Sequence, residues 1–153
     1  MAGRVVAAED LRGVLQTDFS PGSGNALQAC VASMFGVAGP LDTNTCEGEV
    51  PNFIVDPRGY DVALSAWAEG RGLTWVKVNL DPSGSLPGGS PPAGVPHDAL
   101  CVLRGKSPRG EHAHVVVGQL RGGTPVPLFD PHPDATMLDG AGGWVGFLHP
   151  SSP

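Results

Sequence analysis

The sequence predicts an α+β domain in which helices come first and an antiparallel sheet follows. Three observations carry that expectation. Apolar residues recur at helical spacing in the first half of the chain, the period switches to two after Gly72, and short strand-like runs separated by turn residues then follow closely.

The helical segment is Asn25–Gly36, NALQACVASMFG, where Leu27, Cys30, Val31, Met34 and Phe35 form one stripe. Asn25 suits an N-cap, Gly24 permits a sharp turn before it, and Gly36 suits a C-terminal stop. From Val37 to Pro57 the chain is rich in Gly, Pro, Asp and Asn, so a loop carrying Cys46 is expected. A second helix is expected over Asp61–Gly70, capped by Asp61, with Leu64, Trp67 and Ala68 facing inward. Next, TWVKVNL alternates Val76, Val78 and Leu80 with Trp75, Lys77 and Asn79, the pattern of a half-buried strand. The run from Asp81 to Asp98 holds five prolines and four glycines and reads as a surface loop. Further strands are expected at Ala99–Leu103, His114–Gln119, Val126–Asp130 and Trp144–Leu148.

At 153 residues and 41% hydrophobic content the chain suffices for one domain with a core, spanning 1–153, and is short for two. Its net charge of −6, with only 9 Lys+Arg, leaves no basic surface to neutralise a phosphate backbone, so nucleic acid is not an expected partner. The N-terminal residues meet acidic side chains too early for a secretory signal, and no stretch approaches the ~20 apolar residues that cross a bilayer. Three cysteines, Cys30, Cys46 and Cys101, are too few and too odd for a disulfide scaffold and point to a reducing, cytoplasmic compartment. Cys30 and Cys101 lie on apolar patterns and read as core; Cys46 reads as an exposed thiol.

Three polar clusters interrupt the apolar pattern: Gly24-Asn25-Ala26, His112-Ala113-His114 and Asp130-Pro131-His132. His114 opens one strand and Asp130 ends another, so pairing of those strands would bring a carboxylate to an imidazole and fix its tautomer. Such a pair calls for a nucleophile, and a helix N-terminus is where a thiolate is best stabilised. The residue at that place is Ala26. The same histidines, His112, His114 and His132, with Asp130, offer as an alternative a zinc set of three nitrogens and one oxygen. His97 and His149, beside proline-rich loops, read as structural.

Taken together, GNALQACVASMFG at Gly24–Gly36, VPNF at Val50–Phe53, GKSPRG at Gly105–Gly110, HVVVG at His114–Gly118 and DPHP at Asp130–Pro133 resemble papain-like domains of the peptidase C39-like type. The resemblance is closer still to small bacterial and phage-encoded proteins that read GNCLQACVASLLG, VPNF, GKSPRG, HAVVG and DPHPSG in that order. It covers roughly Gln16 to Pro150. It implies a papain-like fold with the nucleophile on the N-terminal helix, His114 as general base, Asp130 as its orienting partner, and Ala26 in place of the nucleophilic cysteine. Gln16 is the implied side-chain oxyanion donor, with Gln28 as the alternative. Because Gln16 precedes Ala26 by ten residues, the SPGSG loop between them must fold back. Asn25, Lys106, Arg109, His132 and Trp144 are the expected substrate-facing residues, and GKSPRG is either a plain hairpin connection or a loop that meets a carboxylate or phosphate.

The implied activity is hydrolysis or acyl transfer at an amide, peptide or thioester carbonyl through an acyl-enzyme, without a cofactor. The substrate is a peptide or small acyl compound, or part of a carrier or precursor protein. A methyl group cannot attack a carbonyl, so the chain with Ala26 is expected to lack that activity. Two origins of the alanine remain open, an engineered Cys→Ala substitution and a naturally inactive relative that serves as a binding domain.

Overall fold

The structure, a computed structural model, describes residues 5–20, 24–35 and 50–151. Both the Gly36 helix stop and the Cys46 thiol lie outside the described residues. Helix α1 spans Ala26–Phe35 and helix α2 Tyr60–Glu69. Five strands follow: β1 Leu73–Asn79, β2 Leu100–Lys106, β3 Ala113–Arg121, β4 Thr124–Phe129 and β5 Asp139–Pro150. They form one sheet in the order β1-β5-β2-β3-β4 with every neighbouring pair antiparallel. The α+β class and the antiparallel sheet therefore stand as expected from the sequence.

Helix α1 departs from the one-stripe expectation, since every residue from Leu27 to Met34 is buried. The sheet takes one side, where α1 packs on β3 and β2. The N-terminal segment covers another, with Val5, Val6, Leu11 and Val14 in the same apolar cluster and the Val6 amide donating to the Met34 carbonyl at 2.8 Å. A helix enclosed on all sides must satisfy its polar side chains internally. Ser33 does so by accepting from the Val14 amide and donating to the Ala29 carbonyl, both at 2.8 Å.

Helix α2 starts one residue earlier than expected and its cap position is Gly59, whose φ of 94° falls in the left-handed region that glycine enters without penalty. Asp61 sits in the first turn instead of capping it. Its carboxylate accepts from the Trp75 indole at 2.7 Å and pairs with Lys77 at 3.3 Å, so it ties α2 to β1. Leu64 and Ala68 are buried as expected, and Trp67 packs edge-on against Phe35 and Phe53 while remaining half-buried.

Strand alternation divides the core between the two faces of the sheet. Leu73 and Trp75 of β1, Leu100 and Val102 of β2, and Trp144 and Leu148 of β5 face the helices. Cys101, Leu103, Val116, Val145 and Phe147 face the other way and pack with Leu86 and Val95. The proline-rich run from Asp81 to Asp98, expected as a surface loop, thus covers the second face with two buried side chains. Its short apolar residues lack periodicity, which hid that role. Strand β5 is longer than the expected Trp144–Leu148 because the DGAGG stretch, with almost no apolar pattern, still pairs with β2 as far as Asp139 and Lys106. At Gly146 the Trp75 ring lies where a Cβ would be, so only glycine lets the indole close against the sheet. Among the described residues no helix is long and apolar enough to cross a membrane.

Candidate functional site

Asp130 follows the last residue of β4, and Phe129 is paired with Val117 of β3. That register carries the carboxylate to His114, the second residue of β3, and Asp130 Oδ1 lies 2.7 Å from His114 Nε2. The pair expected from the two strand ends is formed. Asp130 is itself held from several sides. Oδ1 accepts from the His132 amide and Oδ2 from the Met137 amide, both at 2.9 Å, and Arg109 Nη1 stands 3.8 Å from Oδ2. To deliver the Met137 amide the turn places Ala135 and Met137 at φ of 54° and 61°, a left-handed conformation that costs non-glycine residues energy. Backbone strain at this turn is thus spent on fixing one carboxylate.

With Nε2–H directed at Asp130, His114 carries its lone pair on Nδ1. Burial pulls the His114 pKa below the ordinary histidine value and outweighs the opposing hydrogen bond and charge of Asp130, while the nearby Arg109 and His132 act in the same direction as burial. A folded-state pKa below the unfolded value of about 6.5 means that the unfolded chain takes up the proton first on acidification. The corresponding stability is present above that pH and is lost as pH falls toward the folded pKa. In urea titrations between pH 7.5 and 5.5, the protein is expected to lose stability more steeply than its His114→Gln variant. Equal slopes would contradict a neutral, buried His114.

His114 lines a cleft of about 510 Å³ together with Ala26, the first residue of α1, and Gln16. The first turn of a helix has amide groups without intrahelical partners, so α1 presents donors at this end. The expected fold-back of the chain before Ala26 is present on both sides of the undescribed residues 21–23. Asn25 Oδ1 accepts from the Thr17 and Asp18 amides at 2.9 Å, and the Asn25 amide donates to the Asp18 carbonyl at 3.1 Å. Gln16 is tied to the Asp130 turn by its own amide, which donates to the Pro131 carbonyl at 3.0 Å. Its Nε2 donates to the Asp18 carbonyl at 3.1 Å, and its Oε1 is buried without a partner among the described residues.

Several expected roles are corrected by burial and position. Gln28 is 1% exposed, donates to the Val50 carbonyl at 2.9 Å and accepts from Asn25 Nδ2 at 3.2 Å, so its amide serves the core and not the cleft. Asn25 is fully buried and holds the Thr17–Asp18 segment; it has no surface to offer a substrate. Lys106 lies outside the cleft, beside Asp139 at 3.4 Å and Glu111 at 3.8 Å on the surface, because the end of β2 directs it away. Arg109, His132 and Trp144 do line the cleft. The GKSPRG segment ends β2 and enters the β2–β3 connection, which carries Arg109 into the cleft, where Nη1 also donates to Thr136 Oγ1 at 2.6 Å. His112, exposed just before β3, lies at the cleft with His114 and His132, but the zinc set does not assemble. Asp130 is engaged with His114 and two amides, His132 Nδ1 accepts from the Asp134 amide at 3.1 Å, and no group of three His, Cys, Asp or Glu among the described residues is placed to hold a metal ion.

Cys30 and Cys101 are buried free thiols as expected. Burial raises the Cys30 pKa well above the ordinary thiol value, with the Asp130 charge adding to it, and pushes Cys101 up to about 12. Tyr60 and Arg104 are among the cleft residues that escaped the sequence reading. Tyr60 stacks on Trp144 with ring centroids 6.0 Å apart and forms an aromatic wall. Arg104, exposed to solvent, lines the cleft; the available clue was its period-two spacing from Leu100 and Val102, which face the helices, but the expected strand stopped at Leu103. No protein-family model, curated protein or solved structure matches this chain.

Proposed function

We propose that this cleft is the acyl-transfer site of a papain-like cysteine hydrolase or acyltransferase in which Ala26 occupies the position of the nucleophile. The observation that carries the reading is the 2.7 Å contact between His114 Nε2 and Asp130 Oδ1 on the wall of the same cleft that receives the start of α1. With a cysteine at position 26, His114 Nδ1 takes the thiol proton and the sulfur attacks the carbonyl carbon of an amide or thioester. The helix-start amides and the Gln16 side chain stabilise the oxyanion. Collapse breaks the bond to the leaving amine or thiol, which receives the proton from His114, and water or a second acceptor then releases the acyl group. With alanine the cleft binds but does not form the acyl-enzyme.

The alanine itself favours a second reading, a non-catalytic binding domain that uses the same cleft. One experiment separates a disabled catalytic site from a cleft never arranged for a thiol. In the Ala26→Cys protein, brief exposure to iodoacetamide at pH 7 is expected to label position 26 well ahead of Cys30 and Cys101, whose burial suppresses the thiolate. Adding His114→Ala is expected to slow that labelling at least about tenfold. Peptide mass spectrometry showing no preference for position 26, or no dependence on His114, overturns the catalytic reading.

A further inference from the structure

The charge of the cleft runs against that of the chain. Overall there are 15 Asp+Glu against 9 Lys+Arg, yet none of the described residues lining the cleft is an aspartate or glutamate. The lining contains Arg104 and Arg109 together with His112, His114 and His132. Among the described residues the one buried carboxylate, Asp130, is already engaged by His114, two backbone amides and Arg109.

Arg104 differs from the other cations. Leu100 and Val102, four and two residues before it on β2, belong to the apolar core beneath the helices, so strand alternation places an arginine next in the same row, where it is exposed at the cleft. Its cross-strand neighbours are Val115 on β3 and Trp144 on β5, and both line the cleft as well. The Arg104 side chain makes no hydrogen bond or ion pair with any described residue. Arg109, by contrast, is partly committed to Thr136 and Asp130. An unpaired guanidinium between an aromatic wall and a valine, with no carboxylate of a described residue lining the cleft beside it, is arranged to receive an anion as a two-pronged donor.

We infer that the cleft takes an acyl ligand bearing an anionic group, a carboxylate or a phosphate, and that Arg104 at the solvent-open side of the cleft holds that group while the Tyr60–Trp144 wall takes an apolar or aromatic part. This inference rests on the cleft being the substrate site but not on thiol chemistry, so it is tested on the chain with Ala26. The probes are N-benzoylglycine, which joins an aromatic acyl group and an amide to a carboxylate, the phosphonate of the same skeleton, and the neutral N-benzoylglycinamide. Titration calorimetry or amide chemical-shift changes report binding without turnover.

At least one anionic probe is expected to bind about tenfold more tightly than the neutral amide, the scale of one charge-assisted contact. Preference between the two anions identifies the carboxylate or phosphate source. Arg104→Gln is expected to remove the advantage of the anion without weakening the neutral probe, and Arg104→Lys to restore part of it. Shift changes should centre on Arg104, Val115 and Trp144. Equal binding of charged and neutral probes, an anion advantage that survives Arg104→Gln, or no binding of either anion at millimolar concentration overturns the inference. Failure of Ala26→Cys labelling with a preserved anion preference overturns the catalytic reading alone, and the converse result overturns only this one.

Discussion

Acylation of the Ala26→Cys protein by p-nitrophenyl acetate is expected to fall about 10²- to 10³-fold when Gln16 is also replaced by alanine, the usual effect of removing one oxyanion donor. The structure separates the two glutamines that the sequence left as alternatives. Gln16 lines the cleft, and its Nε2 uses one hydrogen on the Asp18 carbonyl, which leaves the second for a developing oxyanion. Gln28 spends its amide on Val50 and Asn25 in the core. Gln28→Ala is therefore expected to lower stability by about 2 kcal/mol through unpaired buried groups. The acylation rate of the folded fraction should stay within about threefold, since the change lies outside the cleft. Release of p-nitrophenolate together with the mass of the acetylated chain measures the rate, and urea midpoints measure stability. A slow Gln28→Ala variant beside a normal Gln16→Ala variant would reverse the assignment.

Asp130→Ala is expected to destabilise the protein by about 3–5 kcal/mol, the cost of removing one partner from a buried charged network. The carboxylate is fully buried and satisfies the His132 and Met137 amides, His114 Nε2 and, at longer range, Arg109. Its loss leaves those donors facing a void and removes the reason for the strained conformation at Ala135 and Met137. Asp130→Asn keeps the shape and one acceptor oxygen and is expected to cost less, about 1–3 kcal/mol. Because small domains are stable by only about 5–15 kcal/mol, the alanine variant should unfold at markedly lower urea with an unchanged slope. A loss below about 1 kcal/mol would show that the network is not a structural support of the cleft.

Much of this arrangement was legible in the sequence. The helix beginning at Ala26, the strand before Gln119 and the strand ending near Asp130 were marked by periodicity and turn residues, and those signals are local. Pairing of His114 with Asp130 followed from adjacent strands, because a turn as short as RGGTP between two strand runs leaves few alternatives to a hairpin. Other features depended on contacts between distant segments, which no local pattern encodes. That Gln16 and not Gln28 reaches the cleft depends on which amide finds a core acceptor, here the Val50 carbonyl. Lys106 and Arg109 are three residues apart, yet only Arg109 lines the cleft, because the end of β2 leaves Lys106 on the surface beside Asp139 while the following turn brings Arg109 to the cleft. The covering of the second sheet face by Leu86 and Val95 likewise follows from a path the proline-rich run does not advertise. Arg104 shows the division most clearly. Its period-two spacing from Leu100 and Val102 is written in the sequence, but the expected strand stopped at Leu103; only the tertiary structure carried β2 through Arg104 and opened a cleft at that position, so that a charge in a core-facing row meets solvent-filled space instead of a packed side chain.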